Sequence, residues 1–311
     1  DYLEGAHERV LNALCRTNGE QTPGYGEDPF CQAAREQIQS LCNLPTAGVH
    51  FLVGGTQVNL TVIAAALRPF EGVLCADTGH INVHETGAIE ATGHKVLPLP
   101  GHDGKITAAQ VEQAVLAHEQ DATHEHMVRP AMVYLSHPTE LGTLYTVEEL
   151  AAIRAVALAH GLRVYIDGAR LAYGLAAEPA VDLPFLARHC DAFTLGGTKC
   201  GALFGEALVL PAPAEWPMFR YHIKQRGAML AKGRLLGVQF AALTAEGLYT
   251  EVGRVANAQA QRVKAACQSR GLAMFCDTLT NQIFPIFQND ALATLATRFT
   301  FAHWAQVDAE H

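Results

Sequence analysis

Short apolar blocks alternate along this chain with longer stretches of helical spacing. Val49–Val53 is an apolar run closed by Gly54-Gly55-Thr56, and helical spacing follows to about Leu67. Further runs at 72–76, 95–98, 132–135, 163–166, 192–195 and 207–210 read as strands. Helical patterns lie among them at 31–43, 83–92, 107–118 and 146–160. Two open with capping boxes, Thr107-Ala108-Ala109-Gln110 and Thr146-Val147-Glu148-Glu149, in which hydroxyl and N3 side chain satisfy each other's backbone N–H. This alternation predicts an α/β fold: a mostly parallel sheet sandwiched by helices. Residues 1–30 read as polar and turn-rich, with 21–29 a loop or an arm that packs on another subunit. After Pro217 the pattern changes. Residues 233–270 read as one or two long helices interrupted near Gly247, followed by a strand at 282–287 and a helix at 291–299. We expect a large domain over 1–247 and a smaller C-terminal α+β domain over 248–311.

Composition narrows the partners. With 22 basic against 31 acidic side chains the net charge is −9, and no basic run argues for nucleic acid or an anionic membrane as partner. No apolar run approaches the roughly 20 residues of a bilayer-spanning helix. The eight cysteines are scattered without a C-x-x-C pair, which points to reduced thiols and a cytoplasmic location. His118, His124 and His126 lie close in sequence but lack metal-ligand spacing, and no metal site is expected.

Three polar groups stand at the carboxyl ends of expected strands, where ligands bind in open α/β sheets. Gly54-Gly55-Thr56-Gln57 opens a helix, and exposed N–H groups there suit an anion such as phosphate. Asp167 ends the buried run Val164-Tyr165-Ile166, where a carboxylate needs a partner; a protonated ring nitrogen would serve. Lys199 follows Gly196-Gly197-Thr198, and a lysine held so can form a Schiff base with an aldehyde cofactor such as pyridoxal phosphate (PLP). Each feature alone fits an ordinary turn, cap or surface charge. Together they supply what PLP requires: an anchor, control of the ring nitrogen and a tether. A nucleotide-binding reading fails because the glycine loop has neither the dinucleotide fingerprint nor a P-loop lysine.

Gly55-Thr56-Gln57-Val58-Asn59, Gly79-His80 with Glu85-Thr86-Gly87-Ala88, Asp167-Gly168-Ala169-Arg170, Gly197-Thr198-Lys199 and Tyr25-Gly26-Glu27-Asp28-Pro29 carry a resemblance. It is to the threonine aldolase / β-eliminating lyase family of fold-type I, aspartate aminotransferase-like PLP enzymes. The resemblance implies PLP on Lys199, Asp167 at the pyridine nitrogen, and Gly55, Thr56, Gln57 and Thr198 around the phosphate. It places His80 against the ring, acting as or positioning a base, and Arg170 at the substrate carboxylate. Tyr25, Arg226 and Arg234 would reach a neighbouring subunit's site in a homodimer or homotetramer. The implied reaction is cleavage of L-threonine, or another β-hydroxy-α-amino acid, to glycine and an aldehyde. β-Elimination, transamination, racemisation and a non-catalytic protein on the same fold stay open. The chain departs from the family in three ways. Thr198 stands where serine is usual, Glu140 stands near a usual histidine with His137 close by, and the second carboxylate-binding arginine has no match. The last departure, with the lone strand at 282–287, leads us to expect that the native protein runs on by some tens of residues.

Overall fold

The computed structural model describes residues 1–308; residues 309–311, the end of the expected small domain, lie outside the described residues. Seven strands form one sheet in the order β1-β7-β6-β5-β4-β2-β3. They are β1 (Gly48–Leu52), β2 (Glu71–Ala76), β3 (Lys95–Leu99), β4 (Arg129–Ser136), β5 (Arg163–Asp167), β6 (Ala192–Gly196) and β7 (Glu206–Leu210). Only β7 runs against the others, pairing antiparallel with both β1 and β6. The carboxyl ends of the other six strands therefore share one edge, and the polar groups singled out above collect there.

Period-2 alternation sends successive side chains to opposite faces. Along β4, Met132 and Tyr134 join one apolar cluster while Val133 and Leu135 join the other. Tyr165 lies on the first face, with α3 (Gly55–Ala66), and Val164 and Ile166 on the second, with α6 (Val147–Ala159) and α10 (Arg234–Thr244). Tyr134 and Ser136 thus share a face with Tyr165 and Asp167, the face that α3 covers.

Both capping boxes form, at α5 (Ala108–Glu119) and α6, because Thr107 and Thr146 accept from the N3 amides. The interruption near Gly247 separates α10 from α11 (Leu248–Gln268), with Gly247 at φ 73°. α11 packs on α7 (Leu171–Ala177) so closely that a Cβ at Gly253 would lie 2.1 Å from the Ala172 carbonyl oxygen.

Three expectations need correction. The amino-terminal stretch contains a helix, α1 (Glu8–Thr17), whose Val10 and Ala13 are buried one turn apart. The helix expected over 83–92 is one turn, α4 (His80–Val83), then a loop and a 3-10 turn at Glu90–Thr92. Thr86 (φ 52°) and Gly87 (φ 71°) are left-handed, which a continuous helix forbids. Residues 282–287 form no strand; an isolated bridge joins Met274 to Pro285, and α12 (Asn289–Leu295) follows.

Candidate active site

A cavity of about 250 Å³ opens at the carboxyl edge of the sheet. Gly54, Gly55, Thr56, His80, Asp167, Arg170, Thr198 and Lys199 all line it, so the groups picked out along the sequence do meet. The loop after β5 touches the end of β6 backbone to backbone. A Cβ at Gly168 would stand 2.0 Å from the Thr194 oxygen, and one at Gly196 would stand 2.3 Å from the Ala169 oxygen. Only glycine permits that approach, and it brings Asp167 and Lys199 into one cavity.

Asp167 is buried and held by three donors. Its Oδ2 accepts from Tyr134 Oη at 2.7 Å and Asn59 Nδ2 at 2.9 Å, and its Oδ1 accepts from the Ala169 amide at 2.9 Å. These three bonds fix the orientation of the carboxyl group in the cavity. His80 Nδ1 lies 2.7 Å from Glu85 Oε1, which also accepts from Asn59 Nδ2 at 2.7 Å. Burial works against protonation of His80, yet the bond to Glu85 and the negative Asp167 raise its pKa above the ordinary histidine value. Lys199 moves the other way: burial, then the Arg170 cation, lower its ammonium pKa and favour the neutral, nucleophilic amine.

At the start of α3 the first helical N–H groups, at Gly55, Thr56 and Gln57, have no protein acceptor among the described residues. A Cβ at Gly54 or Gly55 would meet nothing within 4 Å, so an anion can approach. These donors, a buried carboxylate and a lysine with a lowered pKa fit the needs of PLP: donors for its phosphate, an acid for its ring nitrogen and an amine for its aldehyde. The Gln57 side chain turns away, accepting from Val53 N and donating to the Arg226 carbonyl, so its backbone N–H is the group placed for an anion. Arg170 Nε donates to the Asp1 carboxylate at 2.6 Å, so its guanidinium is oriented for a carboxylate.

Tyr25 and Arg234 do not line this cavity within their own chain. Tyr25 is exposed under Lys224, and Arg234 donates to the Thr17 carbonyl. His137 is also outside it. Fully buried beside Tyr145, its ring nitrogens are unbonded and its pKa is pushed down to about 4 by burial. Glu140 and Glu206 do line the cavity, and the chain order gave neither a role. The one signal for Glu206 was an acidic residue opening the apolar run 207–210. For Tyr134 there was none, since a tyrosine in a buried strand reads as core.

The profile of the β-eliminating lyase family matches residues 8–288. A low specificity L-threonine aldolase from a Pseudomonas species is 28% identical over 96% of this chain and 86% of its own length. The solved threonine aldolase of Leishmania major superposes with a TM-score of 0.95 at 43% identity, over 99% of this chain and 90% of that one. An aspartate aminotransferase from Thermus thermophilus, at 16% identity and a TM-score of 0.69, shares the fold. The chain belongs to the threonine aldolase / β-eliminating lyase family of PLP-dependent enzymes.

Proposed function

We propose that this protein binds PLP at Lys199 and splits L-threonine, or another β-hydroxy-α-amino acid, into glycine and an aldehyde. The observation that carries the reading is that Lys199, Asp167, His80 and Arg170 face one cavity beside the open amino end of α3. Bound PLP supplies an electron sink for the pair released when a bond at Cα breaks. The α3 amides and Thr198 hold its phosphate, and Asp167, fixed by Tyr134 and Asn59, places a negative charge at the ring nitrogen. Lys199 would hold the cofactor through its amine. His80, oriented by Glu85, would lie beside it. Arg170 takes the substrate carboxylate, as it takes that of Asp1 here, and so fixes which bond at Cα faces the sink. A homodimer or homotetramer completes the reading, with Tyr25 and Arg234 serving a neighbouring copy's cavity; sedimentation of the purified protein checks this part.

The test is chemical. Borohydride reduction of the PLP-loaded protein should fix one cofactor on the peptide containing Lys199, and Lys199→Ala should lose that adduct. Threonine should yield glycine and acetaldehyde in equal amounts. An adduct on another lysine, or pyruvate or 2-oxobutanoate in place of glycine, overturns the reading.

A further inference from the structure

The strand order lays the groups of the cavity out in a line. The α3 amides follow β1, Glu206 opens β7, Lys199 follows β6, Asp167 ends β5, Glu140 follows β4 and His80 follows β2. Bond cleavage between Cα and Cβ of a β-hydroxy amino acid needs a base for the hydroxyl proton. Asp167 already accepts three hydrogen bonds. His80 has Nδ1 on Glu85 and a raised pKa, which favours the cation. Glu206 accepts from the Gly197 amide and pairs in register with Leu52 and Gly196, which puts it beside the anion cradle. Glu140 stands on the far side of Asp167 from that cradle.

Resting on the aldolase reading above, we propose that Glu140 is the catalytic base that removes the β-hydroxyl proton. Its Oε1 accepts from the His80 backbone amide at 2.9 Å and from Ser136 Oγ at 2.5 Å, which fixes the carboxyl against the cavity wall. Ser136 Oγ lies 3.3 Å from Tyr134 Oη, which donates to Asp167. Asn59 links Asp167 to Glu85, and Glu85 holds His80. Glu140 therefore belongs to a closed circuit of hydrogen bonds that runs under the cavity and holds the residues about the ring. Burial, with the negative Asp167 adding to it and the two donors tempering it, raises its pKa above the usual glutamate value, toward the range a base needs near neutrality. Asp167, Tyr134, Tyr145, Cys75, His80 and Arg170 are the titratable groups that share this electrostatic neighbourhood.

The step balances. The β-hydroxyl proton passes to the Glu140 carboxylate, the O–H pair becomes the second carbon–oxygen bond of the aldehyde, and the Cα–Cβ pair stays with Cα. Cα then takes one proton to give glycine, and Glu140 releases one.

Glycine lacks the hydroxyl, which separates this role from a structural one. In Glu140→Gln, we expect the PLP absorbance, its change on adding glycine, and glycine α-hydrogen exchange in D2O to persist. Threonine cleavage should fall by about 10²–10⁴-fold. The wild-type rate should climb with pH as Glu140 ionises; this acid limb should vanish in Glu140→Gln and persist in His80→Phe. Glu140→Gln cleaving threonine at the wild-type rate with its acid limb intact overturns the proposal, as does loss of the limb in His80→Phe alone. If Glu140→Gln does not load PLP, Glu140→Asp decides. A slower enzyme with a displaced acid limb and normal glycine exchange supports the role, and an unchanged pH profile overturns it. A wild-type protein that neither responds to glycine nor cleaves threonine refutes the underlying aldolase reading instead.

Discussion

Glu206 gives a stability prediction with a sign and a size. Its side chain is buried between β1 and β6, where the Gly197 amide donates to Oε2 at 3.2 Å. Burial first, and the negative Asp167 second, raise its pKa from 4.5 to about 8. Between those two values the unfolded chain has released this proton while the folded chain keeps it. The folded state then binds more protons, and stability falls as pH rises. At about 1.36 kcal/mol per pH unit, the interval from 4.5 to about 8 sets a ceiling near 5 kcal/mol, complete only above pH 8. Glu206→Gln keeps the size and an oxygen for the Gly197 amide but cannot ionise. In urea unfolding of the PLP-free chain, variant and wild type should be nearly equal at pH 5. By pH 8 the variant should be the more stable by several kcal/mol. Curves that stay parallel across this range would show that Glu206 ionises in the folded protein near its ordinary pKa, and the burial argument would fail.

Asp167→Ala removes the charge at the ring nitrogen, leaves Tyr134 Oη without its acceptor and takes one of the two acceptors of Asn59 Nδ2. We expect PLP to be retained through the α3 amides with most of kcat lost, and turnover near wild type with PLP bound would refute the assignment. Gly253→Ala would drive a methyl to 2.1 Å from the Ala172 oxygen; α11 must shift, at about 1–3 kcal/mol or more, read as a lower Tm. Thr146→Ala deletes one half of the α6 capping box and should cost about 1 kcal/mol in denaturant unfolding, with kcat unchanged.

What the sequence determined by itself was local. Apolar runs of strand length, helical spacing and two capping boxes located most elements, because each signal is complete within a few residues. Glycines and polar residues at run ends marked Gly55, Asp167 and Lys199 for the same reason. Helix α1 was legible too, in the spacing of Val10 and Ala13, but the polar surroundings masked it. The missed break at Thr86-Gly87 and the absent strand at 282–287 show where local pattern ends. The exposed Thr86 is left-handed, a backbone state its residue type does not announce, and a strand exists only if another strand bonds to it. Tertiary structure alone decided the rest of the site. It put Glu140 on the cavity wall with Ser136 and Pro138 and left His137 outside, its ring buried beside Tyr145. It turned Tyr134 into a donor to Asp167, since the two sit on neighbouring strands with the same facing. It placed Glu206 beside the cavity through the reversal of β7, which antiparallel pairing sets and no residue in that strand announces. The charge states of these groups depend on burial and on neighbours far away in sequence, and both are properties of the assembled sheet.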